Sequence, residues 1–170
     1  VSLTSFPARI NRVWLVVETI LRQSKKADII VLWLSKNQFK SLDELPKRLL
    51  KQQTRGLKIE LNEDDFGSHK KYYYTLKEFP GDIMITIDDD IFYPSNMIEE
   101  LMKAHQKFPN SVIARYGQKI IFENKKISSY KLWESTFKQT FPNFKVFFGS
   151  GGGTLFPPYS LPAETLSKSV

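Results

Sequence analysis

The chain has no cysteine, and only two of its 170 residues are histidine. Without cysteine there are no disulfides, no thiolate metal sites and no cysteine nucleophile, which fits a reducing compartment. The two histidines have no metal-ligand spacing, which weighs against a histidine-rich metal centre. No apolar run approaches the length needed to span a bilayer, and no secretory leader pattern is visible. There is no internal repeat, no low-complexity tract and no linker long enough to divide domains, so residues 1–170 read as a single domain.

What is present can fill a core: 41% of residues are hydrophobic and 14% aromatic. Twenty-five basic residues against 18 acidic give a net charge of +7. The positive charges recur in short groups, Lys25-Lys26, Lys47-Arg48, Lys70-Lys71 and Lys125-Lys126. Such a surface suits an anionic ligand or an anionic membrane face. No stripe of base-stacking aromatics flanks a basic groove, so no nucleic-acid partner is expected. Val1 is not an initiator methionine and reads as part of a strand, so the chain is expected to start inside a longer product.

Apolar periodicity predicts four successive strand–helix units. Val1 to Thr4 reads as a short strand, followed by a helix capped by Asn11 with Trp14, Val17 and Leu21 as its apolar stripe. Ile29 to Leu34 reads as a buried strand, followed by a helix from about Pro46 to Gln53 that stops at Gly56. Leu57 to Leu61 alternates as a third strand, and Gly67 to Phe79 reads as a helix with Tyr72, Leu76 and Phe79 on one face. The fourth strand ends at Ile87, and Met97, Ile98, Leu101, Met102 and His105 share a face of the next helix, His105 as a satisfied structural histidine. The expected fold class is therefore α/β, a mostly parallel sheet flanked by helices. After about residue 110 the texture changes to short strands at 111–116, 119–123, 126–130 and 145–148, a smaller mixed or antiparallel region.

Three aspartates, Asp88, Asp89 and Asp90, close the fourth strand. One reading is a solvated acidic turn. The other is a divalent cation holding a polyphosphate, since carboxylates suit Mg²⁺ and Mn²⁺ and ligands of open α/β sheets lie at the carboxyl ends of strands. The buried strand before the triplet, with Phe92-Tyr93-Pro94 and a helix after it, favours the cation. Two more segments would reach the same edge. Thr4, Ser5 and Arg9, around an aromatic-proline turn, could hold a nucleoside and touch its phosphates, or form an ordinary loop. Gly149 to Thr154 has four glycines in five residues, so it reads either as backbone approaching a ligand or as a flexible surface loop that is mobile without ligand. Lys70 and Lys71 begin a helix, where cations oppose its dipole; a bound diphosphate would explain them, and a solvated basic turn is the alternative.

These residues resemble a known family. Asp88-Asp89-Asp90 before Ile-Phe-Tyr-Pro looks like the DxD motif of GT-A nucleotide-sugar glycosyltransferases. The likeness extends to Val-Ser-Leu-Thr-Ser-Phe-Pro-Ala-Arg-Ile at the start, Ile-Val-Leu-Trp-Leu-Ser, Gly-Ser-His-Lys-Lys-Tyr-Tyr and Gly-Gly-Gly-Thr-Leu-Phe-Pro-Pro, and so spans most of the chain. Together they resemble a bacterial group that builds surface polysaccharide or lipopolysaccharide, similar in the triplet to exostosin-type enzymes. The resemblance implies a GT-A, Rossmann-like fold and a Mn²⁺ or Mg²⁺ ion held by Asp90 and Asp88. Asp88 would also contact the nucleotide side, and Asp89 would face the donor sugar. Thr4, Ser5 and Arg9 would hold a uracil-type base, Lys70 and Lys71 the diphosphate, and Gly151 and Gly152 the sugar side. The partners implied are a nucleotide-sugar donor, most simply a UDP-sugar, and a glycan or lipid-linked acceptor. The implied location is cytoplasmic, with peripheral association at the inner face of the membrane. The family pattern continues past the point where this chain ends, so an acceptor-side segment is expected to be missing. Glu134 is the candidate general base. Two competing functions are a non-catalytic nucleotide-binding domain and a metal-dependent phosphohydrolase or nuclease, and the second would need further metal ligands.

Overall fold

The computed structural model describes residues 1–135 and 141–167. A six-stranded sheet forms its centre, in the order β3 (Leu57–Asn62), β2 (Ile30–Ser35), β1 (Ser2–Thr4), β4 (Met84–Ile87), β11 (Gly152–Phe156) and β5 (Ile113–Ala114). The first four are parallel, and β11 runs antiparallel to both β4 and β5. Strand order reverses at β1, so the crevice favoured by ligands lies beside the carboxyl ends of β1 and β4.

The parallel strands read as near-continuous apolar runs because both faces are covered. On one face Leu3, Leu32, Leu34, Ile85, Ile87 and Leu155 form a single core with helices α1 (Ile10–Leu21), α2 (Lys47–Leu50) and α4 (Met97–Lys107). Each such side chain, fully buried, contributes about 1.5–3 kcal/mol. On the other face lies α3 (Lys70–Glu78), held by a buried polar network. Trp33 Nε1 donates to Thr75 Oγ1 at 2.8 Å and to Ser2 Oγ at 3.1 Å, and Ser2 Oγ donates to the Lys71 carbonyl at 2.7 Å. A helix docked through its own first turn has its side chains aimed with little freedom.

Several boundaries differ from expectation. The first helix starts at Ile10, not after an Asn11 cap, because the Phe6 carbonyl accepts from the amides of both Arg9 and Ile10 and starts the turn earlier. Its buried stripe is Val13, Val16, Val17 and Ile20. Trp14 sits at the edge, where Arg48 lies 5.1 Å over its ring. Gly56 does stop the second helical segment, at φ 109. His105 is not fully satisfied: its Nδ1 is buried with no partner among the described residues.

The largest correction concerns the glycine run. Its second half is not a surface loop: Gly152–Phe156 is a buried strand, β11, between β4 and β5, and residues 149–151 lead into it. The remaining segment builds a three-stranded sheet, in the order β10 (Val146–Phe148), β6 (Gly117–Lys119) and β9 (Glu134–Ser135), and a hairpin of β7 (Phe122–Glu123) with β8 (Lys126–Ile127).

Candidate active site

Asp88, Asp89 and Asp90 leave the carboxyl end of β4 between β1 and β11. The middle aspartate turns inward. Asp89 is 7% exposed; its carboxylate accepts from Ser5 Oγ at 2.6 Å and from Arg9 Nη1 at 2.8 Å. Both oxygens are thereby engaged, and the opening loop is fastened to the triplet. The same Arg9 nitrogen lies 2.8 Å from Asp90. The hydrogen bond that Arg9 donates to Asp89, then the charges of Asp89, Asp90 and Asp88, raise the Arg9 pKa above its ordinary value.

The outer aspartates face solvent, with side-chain exposures of 43% for Asp88 and 48% for Asp90. Lys71 Nζ donates to Asp88 at 2.7 Å from a side chain that is only 4% exposed. Lys71 is thus a preset cation at the rim. The buried network under α3 explains how a lysine is held there.

The backbone under Asp88 is fixed from the other side. Its amide lies 2.9 Å from both the Gly151 carbonyl and Tyr93 Oη, and Tyr93 Oη in turn donates to the Gly151 carbonyl. Tyr93 is buried, and burial, with the nearby charges of Asp88 and Asp90, raises its pKa so that it stays a neutral donor. Thr86 Oγ1 donates to the Ser150 carbonyl, and Thr154 Oγ1 to the Gly149 carbonyl at 2.7 Å. The glycines answer a steric need here. A Cβ on Gly151 would fall 1.6 Å from Asp88 Oδ2, and one on Gly152 would fall 2.1 Å from the Tyr116 ring.

The structure therefore brings together Ser5, Arg9, Lys71, Asp88, Asp89, Asp90 and Gly151, with Gly152 beside Tyr116. Thr4 stands next to them, its hydroxyl donating to the Trp33 carbonyl at 2.7 Å. Lys70 is turned away: it is 2% exposed and pairs with Asp65. Glu134 lies on β9 of the small sheet, exposed and 3.4 Å from Lys119, and no hydrogen bond or ion pair joins it to the triplet among the described residues. Sequence reasoning missed the role of Tyr93, although its place three residues after the triplet was a usable signal. It also missed the open cleft of about 650 Å³ that Arg9, Arg12, Asp89, Asp90 and Phe92 help to line.

A family model described as glycosyl transferase family 2 matches residues 11–159, which include α3, the triplet and β11. The chain belongs to glycosyl transferase family 2. It has the GT-A fold, and the family implies a nucleotide-sugar donor and an acceptor. A comparison with curated proteins found no significant match. Among the described residues no helix is long and apolar enough to cross a membrane.

No group of three or more histidine, aspartate or glutamate side chains among the described residues is arranged as an all-protein metal cage. A cation shared with a substrate diphosphate needs no such cage, because Mg²⁺-like ions keep waters and take one or two carboxylates plus phosphate oxygens. Asp88 and Asp90, half-exposed and hard in donor type, fit that role. Asp89, with both oxygens engaged, fits the role of a brace for Arg9 and Ser5.

Proposed function

We propose that this family 2 domain transfers a sugar from a nucleoside-diphosphate donor, a UDP-sugar by the resemblance, to a glycan or lipid-linked acceptor in surface polysaccharide synthesis. One observation carries the reading: two half-exposed carboxylates, Asp88 and Asp90, stand at the carboxyl edge of β4 with Lys71 and Arg9 directly on them. Paired this way, two anions and two cations suit a ligand that brings both a diphosphate and its divalent metal. The phosphates would draw Lys71 and Arg9 to themselves, freeing oxygens of Asp88 and Asp90 for Mn²⁺ or Mg²⁺. When bound, such a cation withdraws charge from the diphosphate leaving group.

In the transfer itself, the bond from the anomeric carbon to the β-phosphate oxygen breaks and its electron pair leaves with the diphosphate. The acceptor oxygen bonds to that carbon, and its proton passes to a solvent water. Lys71 and Arg9 stabilise the negative charge that grows on the diphosphate. Tyr93 and Gly151 hold the Asp88 backbone, and Asp89 holds Arg9, so the charged groups need no reorganisation during the step. Ser5 keeps the opening loop beside the triplet, where a base and ribose would lie.

A thermal-shift panel of nucleoside diphosphates with and without Mn²⁺ tests this directly, because a ligand of the native state raises apparent stability by mass action. The expected result is a shift with UDP that depends on Mn²⁺ and is lost in Asp90→Asn. Stabilisation by UDP without any metal dependence would favour the non-catalytic nucleotide-binding reading. No shift with any nucleotide would overturn the assignment.

A further inference from the structure

The region after β5 has a surface that donor binding does not use. Between Tyr116 and Phe148 the sequence carries six lysines and two glutamates. Tyr130, Trp133 and Phe147 touch one another, with ring centroids 5.1 Å apart for Tyr130–Trp133 and 5.6 Å for Trp133–Phe147. Even so, Tyr130 remains 57% and Phe147 51% exposed. Two residues before Phe147, Lys145 lies 5.7 Å over the ring of Phe122. The Ile120 amide donates to the Lys145 carbonyl at 2.7 Å, continuing the β6–β10 ladder, so Lys145 and Phe147 project to the same side. The aromatic cluster and the β7–β8 hairpin therefore share one face.

The hairpin reinforces the pattern. Phe122 pairs across it with Ile127, and these two are 48% and 61% exposed. Asn124 and Lys125 form its turn at φ 50 and φ 62, which matches the two-residue hairpin geometry. Lys125 in the turn and Lys131 are exposed and have no ion pair among the described residues, while Lys126 stands opposite Glu123 on the other face of the hairpin. Soluble monomers seldom leave so continuous an apolar patch uncovered.

Chemistry narrows the occupant. Protein interfaces are depleted in lysine, which is the charge this face carries. Exposed Ile127 and Leu132 would add nothing to base stacking or to recognition of sugar hydroxyls. Aromatic and aliphatic side chains interleaved with unpaired lysines suit the boundary of an anionic bilayer, where rings enter the headgroup layer and ammonium groups stay wet. We propose that the face formed by the β7–β8 hairpin and the Tyr130–Trp133–Phe147 cluster docks on an anionic phospholipid surface. The inference rests on this surface and not on the donor reading of the triplet. Its position suits that reading, because β10 leads into Gly149, whose amide donates to the Tyr116 carbonyl at 2.8 Å, and on to Gly151 beside Asp88.

Flotation of the protein with vesicles tests the proposal. One set is phosphatidylcholine alone, the other phosphatidylcholine mixed with phosphatidylglycerol. Binding is expected only to the anionic set and should fall steeply with added salt. The pair Lys125→Glu and Lys131→Glu should lower partitioning by more than about tenfold. Phe122→Ser with Ile127→Ser should also lower it, and Trp133→Phe should remove a vesicle-induced blue shift in tryptophan emission. Circular dichroism and melting temperature verify each variant's fold, and Phe122→Tyr with Ile127→Thr replaces the serine pair if that pair melts early. Equal flotation with neutral vesicles, none with anionic ones, or wild-type flotation by the folded variants would overturn the proposal. So would retention on a soluble polyanion such as heparin without flotation, or a concentration-dependent dimer that shields Trp133.

Discussion

The carboxylate of Asp88 occupies the space that a side chain on residue 151 would need, with Oδ2 only 1.6 Å from where a Cβ would stand. Gly151 does not have a positive φ, so alanine there is strained by this contact and not by the backbone. Gly151→Ala should fold, push the Asp88 carboxylate off Lys71, and reduce Mn²⁺-dependent UDP affinity by about tenfold or more, roughly 1.4 kcal/mol. Calorimetry measures it. Wild-type affinity in a folded Gly151→Ala variant would mean that the placement of Asp88 is immaterial.

The two neighbouring lysines should separate cleanly. Both side chains are buried, but Lys71 reaches the half-exposed Asp88 of the triplet and Lys70 reaches Asp65. Lys71→Ala should weaken binding of a nucleoside diphosphate much more than of the bare nucleoside. Both variants should lower stability, Lys70→Ala by about 3–5 kcal/mol, but Lys70→Ala should spare diphosphate selectivity in whatever protein remains folded. Denaturant melts and ligand titrations on both variants decide the matter.

Asp89 and Asp90 should also part company. Asp90→Asn is expected to abolish metal-dependent nucleotide binding with little change in melting temperature, since its side chain is half-exposed. Asp89→Asn weakens a buried charge-assisted hydrogen bond and should lower stability by about 1–3 kcal/mol. That corresponds to a fall of about 2–4 °C in melting temperature for each kcal/mol at this chain length. The reverse pattern would exchange the roles given to the two residues.

Glu18 provides a pH test away from the site. Hydrogen bonds from Arg55 and then Arg22 hold its carboxyl at about 2, below the ordinary 4.5. A depressed pKa stabilises the fold above the unfolded value, and that contribution is lost as pH falls from about 4.5 through about 2. Glu18→Gln should therefore lower the melting temperature at neutral pH and make little difference near pH 2. An equal loss at both values would show that packing, not charge, is what Glu18 supplies.

Much of this molecule can be read locally. The alternation of Ile29–Leu34 and Leu57–Leu61 with helical stripes marks a parallel α/β sheet, because periodicity records which faces are buried. Three adjacent carboxylates after Ile87 mark the charged edge of the sheet, since like charges seldom gather at a strand end without something to neutralise them. The glycine run misled because glycine has no side chain to show a strand period, so β11 reads as loop although tertiary packing buries it beside β4.

Other features came only from the tertiary structure. Lys70 and Lys71 are alike in sequence; the docking of α3 through Ser2, Trp33 and Thr75 sends one to Asp88 and the other to Asp65. Asp88, Asp89 and Asp90 are likewise identical, yet Ser5 and Arg9 arrive from 84 and 80 positions earlier to draw the middle one inward. The sequence alone determined the fold class, the edge of the sheet that carries the charge, and the family. Which member of each repeated pair or triplet turns inward and which lies at the open sheet edge was decided by long-range packing, because residue type and spacing are the same for all of them and only the surrounding chain makes their environments differ.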